Sequence, residues 1–391
     1  MLPSLHIAFV GEYDPDDLGA AGANAHAVLV RTLRQRGLKV TGINCELSGF
    51  SRKAVMARVF SLDRARWRGK YHLHPVAFNA RTRKAQAMLR SALQNSPADA
   101  VIQYGTAFDA RLPGVAHLIW SDTTSAVTAS EPFSWMGAMQ ADEQELVDAQ
   151  ERRLLHSSDI VMPWSRYAGS QIVRCTGVSE DRIRPTYVGP SMSLDNTVDN
   201  RAERTKKGGA LRVLFVGREF ARKGGDVLVE SVRRVRERGI DLRAVIVGPT
   251  HHNQTADFID FVGFLDKSNP SDVRRLQEVF AQADIFCLPT RREPFGIAVV
   301  EAMLSGLPVI ATSVSAIPEI VEDGVTGYLV GVDDIDRLTE RLVSLALDSS
   351  LRESMGRKGA ASARARFEWN EIARRVEDAT REAIAIAGTR G

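Results

Sequence analysis

The chain has 391 residues, 44% of them hydrophobic and 25% charged, and a net charge of +3 at pH 7. This length exceeds what one hydrophobic core usually serves and favours two domains, and the composition is that of a globular protein. No apolar stretch is long enough to cross a membrane, and the first residues turn acidic too soon for a signal peptide. The three cysteines are far apart and lack metal-ligand spacing, so we expect reduced thiols and a cytoplasmic protein.

The chain opens with the pattern of a strand, a loop and a helix. We predict a strand over 5–10 and a helix over about 23–36, followed by a second strand. The loop reads GAAGA and lacks the G-x-G-x-x-G fingerprint, which argues against a hydride-transferring enzyme. Asp14 and Asp16 form a D-x-D pair before this loop, but loop acids without partners are usually solvated. We therefore predict no metal site there.

A basic segment follows over residues 52–90, where eleven Lys or Arg stand against one acid, Asp63. Between the charges, apolar residues recur at spacings of one helical face: Val55, Val59, Phe60 and Leu62. Trp67 adds an interfacial aromatic. A basic amphipathic helix of this kind can lie on an anionic membrane, which favours an anionic or lipid-linked acceptor and a peripheral membrane contact.

The same segment has a plainer interpretation, which the sequence leaves open. A solvated pair of helices whose arginines form ordinary surface contacts would have a similar composition. Nucleic acid is not an expected partner, because few aromatic side chains lie among the charges.

The rest of the first half alternates between strands and helices. We predict strands over 98–103, 115–120, 159–162 and 182–188, and helices over about 141–156 and 165–175. A polar linker without periodicity follows over 189–209. The second half repeats the alternation, with strands at 211–217, 242–247, 258–262, 284–288 and 307–312, and helices between them. Continuous apolar strands of this kind indicate parallel sheets covered on both faces.

The stretch from Asp284 to Gly306 carries the strongest motif. A buried strand leads into a polar loop and a helix over about 295–305, whose free backbone N–H groups form an anion site. Pro294 suits a first helical turn, and Gly306 suits a left-handed cap. The carboxylates Glu293 and Glu301 bracket the turn. A capping role for the first and a solvated position for the second would be the plainer interpretation.

A second motif lies upstream, where a strand ends in Gly217-Arg218 and Arg222-Lys223-Gly224-Gly225 follows. Together with the paired glutamates, this set resembles the nucleotide-sugar-binding half of glycosyltransferase family 4, most specifically over about 211–330. The resemblance implies an α/β GT-B fold with two facing Rossmann-like domains that enclose a cleft. It implies an acceptor-binding domain over 1–195, a nucleotide-sugar-binding domain over 196–366, and a last helix over 367–391 that packs back on the first domain.

The resemblance also implies roles for individual residues. Arg218 and Lys223 would stabilise the charge that develops on the diphosphate, Glu293 would contact the sugar, and Asp122 would act beside it. Glu301 would accept hydrogen bonds from the ribose. The other donor-binding candidates are Gly19 and Gly22 of the first loop, Gly217, the backbone of Phe295, Gly296 and Ile297, and Val262 and Phe264 around the base.

The implied reaction transfers a sugar from a nucleoside diphosphate sugar to an acceptor hydroxyl with retention of configuration. It needs neither a metal nor a cofactor besides the co-substrate. One departure concerns Ser121, because many relatives have a histidine directly before the aspartate. His117 lies inside the strand and suits packing better, and His26 is ambiguous. For Arg218, a surface ion pair with Glu219 or Asp226 is the plainer alternative.

Two rival functions remain open on the sequence. One is a sugar-nucleotide epimerase with the same fold. The other is a sugar-nucleotide-binding protein without transferase activity, for which the missing histidine argues. Neither the sugar nor the nucleobase of the donor follows from the sequence.

Overall fold

The computed structural model describes residues 5–17, 24–130, 139–192, 209–249 and 256–389. The chain separates into two compact units. Unit 1 comprises Met1–Val188 together with Trp369–Gly391, and unit 2 comprises Gly189–Glu368. Within the described ranges, no helix has both the length and the apolar character needed to cross a bilayer.

Unit 1 is built on a five-stranded parallel sheet with the strand order β2-β1-β3-β4-β5. Its strands are β1 (His6–Gly11), β2 (Lys39–Asn44), β3 (Ala100–Tyr104), β4 (Ala116–Ser121) and β5 (Ile160–Pro163). Every residue of β1, β4 and β5 is buried, as expected for a parallel sheet covered on both faces.

Helices cover the sheet of unit 1 on both sides. Before β4 they are α1 (Asn24–Gln35), α2 (Gly49–Arg58), α3 (Arg64–Leu73) and α4 (Pro75–Ala92). After β4 they are α5 (Ser125–Ser130), α6 (Ala141–Ser157) and α7 (Arg166–Thr176). Cap residues mark several of these helix starts: Asp63 accepts backbone N–H bonds at the start of α3, and Ser165 does so at the start of α7.

Unit 2 contains a six-stranded parallel sheet with the order β11-β10-β9-β6-β7-β8. Its strands are β6 (Leu211–Val216), β7 (Leu242–Val247), β8 (Ile259–Gly263), β9 (Ile285–Leu288), β10 (Val309–Thr312) and β11 (Gly327–Val330). Its helices are α8 (Gly225–Glu237), α9 (Pro270–Gln282), α10 (Ile297–Leu304), α11 (Ile317–Ile320), α12 (Ile335–Leu347) and α13 (Ser349–Phe367).

The last helix, α14 (Trp369–Gly388), belongs to unit 1. It packs against α1, β4 and β5, and its buried face includes Ile372, Val376 and Ala383. Glu377 pairs with Arg36 and Glu382 pairs with Arg184, so both helix turns are also tied to unit 1 by charge. A final helix that packs back on the first domain is what the family resemblance implies.

The predicted strand over 182–188 is wrong. A short 3-10 turn occupies Glu180–Arg182, and the extended chain after it forms a single bridge, between Ile183 and Val161. Pro185 has no backbone N–H to donate to a ladder, and Tyr187 has a φ of 65°, which a strand residue does not adopt.

The basic segment also differs from the expectation of one amphipathic face. Helix α2 ends at Arg58, so the apolar residues divide between two environments. Val55 and Val59 are 6% and 0% exposed, whereas Phe60 and Leu62 are 57% and 92% exposed. The indole N–H of Trp67 donates to the backbone oxygen of Met56 at 2.9 Å, which holds this side chain against the protein.

Candidate functional site

The carboxyl edge of the unit 2 sheet, where its strands end, contains a point at which the strand order reverses. The chain runs outwards from β6 through β7 to β8 and then returns to place β9 on the other side of β6. Open α/β sheets bind ligands in the crevice at such a point. The loop after β6 and the loop after β9 carry the two sequence motifs, and the fold brings them side by side.

Hydrogen bonds join these two loops. The backbone N–H of Arg291 donates to the oxygen of Arg222 at 2.9 Å, and the guanidinium of Arg222 donates to the oxygen of Arg292 at 2.7 Å. The guanidinium of Arg291 binds Asp226 at 2.8 Å and Asp333 at 2.7 Å. The loop after β6 is therefore fixed against the loop after β9.

Two glycines allow the close approach of the chain at this edge. Gly224 has a φ of 75°, and a Cβ at this position would overlap the carbonyl oxygen of Pro289. A Cβ at Gly217 would lie 2.9 Å from the Cγ of Lys223. Only glycine fits the first position without displacing backbone, and the second leaves room for the lysine side chain.

Lys223 and Glu293 form an ion pair at the reversal point. Their side chains are 15% and 9% exposed, so the pair is largely shielded from water. The two groups come from the two different loops, and each was a predicted site residue. The ammonium can donate hydrogen bonds to an anionic group of a ligand, and the carboxylate can accept hydrogen bonds from hydroxyl groups of the same ligand.

Glu301, on α10, is completely buried. The plainer interpretation, a solvated helix residue, is therefore wrong. Its carboxylate accepts hydrogen bonds from the backbone N–H and the hydroxyl of Ser191 and from the ammonium of Lys267. Sequence reasoning missed both partners, because Ser191 precedes Glu301 by 110 residues and Lys267 precedes it by 34.

The start of α10 lies two residues later than predicted. Gly296 is its N-cap, with a φ of 110°, and its backbone oxygen accepts the N–H of Val299 at 2.9 Å. Ile297 is the first helical residue, and Pro294 lies outside the first turn. The side chain of Phe295 is 2% exposed and meets the ring of Phe367 edge-on, with 5.9 Å between ring centroids. Its side chain thus belongs to the core.

Arg218 has an exposed side chain that lies over the ring of Phe264, with Cζ 5.3 Å from the ring centroid. The alternative ion pairs are wrong, because Glu219 binds Arg222 and Asp226 binds Arg291. Among the described residues, Arg218 has no carboxylate partner. Phe264 is 46% exposed just after β8, and Val262 is half-buried within that strand.

In unit 1, the structure describes only some of the candidate residues. Gly19 and Gly22 lie outside the described residues. Asp122 is half-buried directly after β4, and the hydroxyl of the preceding Ser121 donates to the backbone oxygen of Thr123 at 2.7 Å. Burial raises the pKa of Tyr104, and the charge of Asp122 raises it further.

The two histidines of unit 1 are both buried. His117 is 2% exposed, its ring contacts the side-chain oxygen of Gln103 at 3.2 Å, and burial lowers its pKa to about 4. Its predicted packing role is confirmed. His26 is 1% exposed and lies among the rings of Phe9, Tyr13 and Tyr104. Burial also lowers the pKa of His26.

The strand order of unit 1 also reverses, between β1 and β3, and a charged group lies beside that point. Glu12 directly follows β1 and pairs with Arg81, whose side chain is only 1% exposed. The Arg81 guanidinium also lies 5.0 Å from the ring centroid of Tyr71 and donates to the backbone oxygens of Tyr71 and His72. The sequence indicated a basic segment here but not that one of its arginines is buried.

No group of three or more His, Cys, Asp or Glu side chains in the described ranges is arranged to hold a metal ion. The D-x-D pair is used locally instead. Asp14 accepts the backbone N–H of Asp16 at 2.9 Å, and Asp16 pairs with Arg34.

Comparisons with known proteins identify a family over the part of the chain that contains the two motif loops. The family described as "Glycosyl transferases group 1" matches residues 197–362, which include both motif loops. The D-inositol 3-phosphate glycosyltransferase of Corynebacterium glutamicum is 30% identical over 281 residues, which cover 67% of this chain and 66% of that protein. The chain spans between 48% and 66% of the length of the curated relatives it matches.

Solved structures resemble the chain over nearly its full length. A sucrose-phosphate synthase from Thermosynechococcus elongatus has a TM-score of 0.69 and 19% identity, with 98% of this chain and 100% of that chain covered. An Anabaena protein in complex with UDP-glucose has a TM-score of 0.63 and 14% identity, with 96% and 98% covered. At these identities the likeness concerns the fold.

Proposed function

Because this chain belongs to glycosyltransferase family 4, we propose that it transfers a hexose from a nucleoside diphosphate sugar to an acceptor hydroxyl. The transfer retains the anomeric configuration and needs no metal ion. One observation carries the proposal: Lys223 and Glu293, from separate loops, meet in a shielded ion pair where the strand order of unit 2 reverses.

The diphosphate is the part of the donor for which this edge is best suited. Breaking the bond between sugar and phosphate leaves negative charge on the leaving group, and nearby cations lower the energy of that charge. Arg218 offers a bidentate fork and Lys223 a compact ammonium, while the start of α10 adds backbone N–H groups. Arg218 needs to break no ion pair with a described residue to do so.

Glu293 is assigned to the hydroxyl groups of the transferred sugar. When a donor binds, the ammonium of Lys223 moves part of its interaction to the phosphate, and the carboxylate becomes free to accept sugar hydroxyls. Retention then follows from attack of the acceptor on the face of the leaving group, with the diphosphate taking the proton. Asp122, at the carboxyl edge of the unit 1 sheet, is the candidate that assists beside the sugar.

The choice of nucleotide for a first experiment follows from the solved neighbours. Anabaena structures of this fold are described in complex with UDP and with UDP-glucose. We propose a nucleoside diphosphate sugar as the partner of this chain and test UDP, GDP and ADP beside their glucose and mannose conjugates. A bound ligand raises the melting temperature by mass action, so a thermal-shift panel identifies the base and the sugar.

A turnover assay separates transfer from the rival functions. A transferase releases free nucleoside diphosphate when an acceptor is added, an epimerase converts the sugar nucleotide without one, and a binding protein does neither. The matched variant is Glu293→Gln, which keeps the shape of the side chain. We expect it to bind free nucleoside diphosphate like the parent and to lose at least tenfold in transfer rate. Binding without turnover in the parent would refute the transferase proposal.

An anionic acceptor is supported by the cations around Tyr71. Arg52 and Arg81 both lie over its ring, at 6.0 Å and 5.0 Å from the centroid. Burial, together with the charges of Arg81, Arg68 and Arg52, lowers the pKa of the neighbouring His72 to about 4. Three guanidinium groups thus act on one spot near the carboxyl end of β1, whereas the ion pair of Glu12 neutralises only one of them.

We also propose that unit 1 makes a peripheral contact with an anionic membrane, at the cytoplasmic face of the inner membrane. The support is a group of exposed apolar side chains within or beside the basic segment: Phe50, 87% exposed, Phe60, 57% exposed, and Leu62, 92% exposed. Exposed apolar side chains among lysines and arginines are typical of surfaces that lie in the lipid headgroup region.

Sedimentation with vesicles tests this contact. Binding should need anionic lipid, should weaken as salt rises, and should fall in the double variant Phe50→Ser, Leu62→Ser. A matched control is Leu347→Ser, because Leu347 is 72% exposed on unit 2 and lies outside residues 52–90. Equal recovery of the parent with neutral and anionic vesicles at low salt would refute the contact.

A further inference from the structure

The carboxylate of Glu301 has an unusually complete set of partners in unit 2. One of its oxygens, Oε1, accepts the backbone N–H of Ser191 at 3.1 Å, the hydroxyl of Ser191 at 2.7 Å and the ammonium of Lys267 at 2.8 Å. Among the residues that the structure describes, the other oxygen, Oε2, accepts one hydrogen bond, from the ammonium of Lys267 at 3.0 Å. The ammonium also donates to the hydroxyl of Ser191 at 2.5 Å.

This arrangement places a cation where a buried carboxylate needs one. Glu301 has no exposed surface, and a buried carboxylate without a partner tends to take up a proton or to destabilise the fold. Lys267 comes from the loop between β8 and α9, and its side chain is 26% exposed. Its ammonium therefore lies between the buried carboxylate and the outside of the protein.

The two oxygens of Glu301 differ in what they can still accept. An ionised carboxylate is an acceptor only, with about two lone-pair positions on each oxygen. Oε1 already has three donors within hydrogen-bonding distance, while Oε2 has one. A further donor can thus bind only at Oε2, and only while the carboxylate is held in this orientation. Because Glu301 has no exposed surface, the partly exposed ammonium of Lys267 must shift when that donor enters.

We propose that Lys267 is a positioning residue that makes the nucleotide site selective for ribose, because it holds the carboxylate of Glu301 in the orientation in which Oε2 can accept a ribose hydroxyl. The inference rests on the proposed function, since it needs a nucleoside diphosphate in unit 2. Ser191 fills Oε1 and so directs the incoming hydroxyl to the other oxygen. Without the ammonium, the carboxylate of Glu301 would lose the contact that orients Oε2, and the ribose hydroxyl would no longer be distinguished from a hydrogen.

A different use of Lys267, as a direct contact to the phosphates, makes a separable prediction. Loss of a phosphate contact would weaken the binding of ribonucleotides and of 2′-deoxyribonucleotides by the same factor. Loss of a residue that positions Glu301 would weaken the binding of the ribonucleotide alone. The ratio of the two dissociation constants therefore distinguishes these roles, and a general loss of folding does not change that ratio.

The experiment is isothermal titration of UDP, 2′-deoxy-UDP, GDP and 2′-deoxy-GDP into the full chain. For the base that binds more tightly, the parent should prefer the ribonucleotide by about tenfold, as expected for a hydrogen bond to a charged group. Lys267→Met and Glu301→Gln should each reduce this preference to less than about threefold. Lys267→Arg keeps the cation and should keep the preference. Lys358→Met, on the exposed face of α13, is the matched control and should equal the parent.

Each result decides the proposal. The role of Lys267 would be overturned by an unchanged ratio of dissociation constants in Lys267→Met, or by a parent that binds the ribonucleotide and the 2′-deoxyribonucleotide equally. Either result would leave the transferase proposal standing. A parent that binds none of the four nucleotides is titrated with ADP and 2′-deoxy-ADP, and the absence of binding to these as well would remove both proposals. Where Lys267→Met does not fold, Lys267→Gln replaces it, since the amide keeps a hydrogen-bond donor without the charge, and the same loss of preference is expected.

Discussion

The carboxyl edges of the two sheets have the same topology, but backbone contacts form one of them and large side chains form the other. In each unit the strand order reverses beside the first strand, between β1 and β3 in unit 1 and between β6 and β9 in unit 2. In unit 2 the edge is shaped by backbone: Gly224 lies against the carbonyl of Pro289, and one ion pair, Lys223–Glu293, lies across the reversal.

In unit 1, large side chains take the place of that backbone contact. Tyr104 stacks on Trp164 with 6.2 Å between ring centroids, and Trp164 lies 5.2 Å from Trp120. The buried Arg81 and its partner Glu12 complete the edge. An edge made of backbone admits few substitutions and recognises a constant part of a ligand, whereas an edge made of side chains can change with the ligand. The contrast agrees with the roles proposed above, donor binding by unit 2 and acceptor binding by unit 1.

The largest expected effect breaks the backbone contact in unit 2. Gly224→Ala should destabilise that unit by more than about 3 kcal/mol, because the new Cβ would overlap the oxygen of Pro289 at a φ of 75°. Gly239→Ala is the matched control: its φ is 81°, but nothing lies within 4 Å of the new Cβ, so about 1 kcal/mol is expected.

The tryptophans allow the two units to be followed separately. All five, at positions 67, 120, 135, 164 and 369, fall within the sequence ranges of unit 1. In urea unfolding, Gly224→Ala should shift the far-UV circular dichroism transition of unit 2 and leave the tryptophan fluorescence transition in place. Equal stability of the two glycine variants would show that backbone contact does not shape this edge.

A smaller effect is expected from the charges at the same edge. Arg218→Ala and Lys223→Ala should each weaken nucleoside diphosphate binding by roughly 1.5–3 kcal/mol, as charge-assisted hydrogen bonds are lost. The two variants should differ in stability when no ligand is bound. Arg218 is exposed, so its loss should not change stability, but loss of Lys223 leaves the largely buried Glu293 without its cation.

Titration calorimetry with UDP and GDP, combined with urea unfolding, measures both quantities. Unchanged affinity in both variants would remove the assignment of these side chains to the diphosphate. Unchanged stability in Lys223→Ala would show that the ion pair contributes nothing to the ligand-free protein.

The smallest effect concerns pH and the edge of unit 1. Burial, with the charges of Arg81, Arg68 and Arg52, lowers the pKa of His72 to about 4 from 6.5. The unfolded chain binds this proton first, so the stability from neutral His72 is complete above pH 6.5 and is lost as pH falls towards 4.

His72→Asn should therefore lose less stability than the parent between pH 7 and about pH 4.5, by about 2 kcal/mol. Arg68→Ala raises the pKa of His72 and should give an intermediate pH dependence. The tryptophan fluorescence transition in urea reports on unit 1, which contains His72. A parent and a His72→Asn variant with the same pH dependence would contradict a shielded, neutral His72.

The sequence predicted what is local and periodic. The α/β GT-B fold is confirmed, and both motif loops meet at the edge of unit 2 as their positions after buried strands indicated. Glycines at 217 and 224 could be identified because a close approach of backbone admits few other residues. The packed position of His117 also followed from its place inside a strand.

What the sequence did not predict depends on contacts between distant residues. Glu12 and Arg81 are 69 positions apart, and nothing in the periodicity of α4 distinguishes Arg81 from its charged neighbours. The partners of Glu301 arrive from loops whose positions depend on the complete fold. The start of α10 was missed because Gly296, at a φ of 110°, serves as an N-cap that proline and helix propensity alone do not identify.

The position of α14 has a consequence for how the protein is made. Unit 1 consists of the first and the last part of the chain, so its first 188 residues leave the ribosome long before the helix that covers β4 and β5. During the synthesis of unit 2, the surface that will bury Ile372 and Val376 has no cover, so we expect nascent unit 1 to expose apolar surface until α14 has been made. A chain truncated after residue 368 would remain permanently in that immature state.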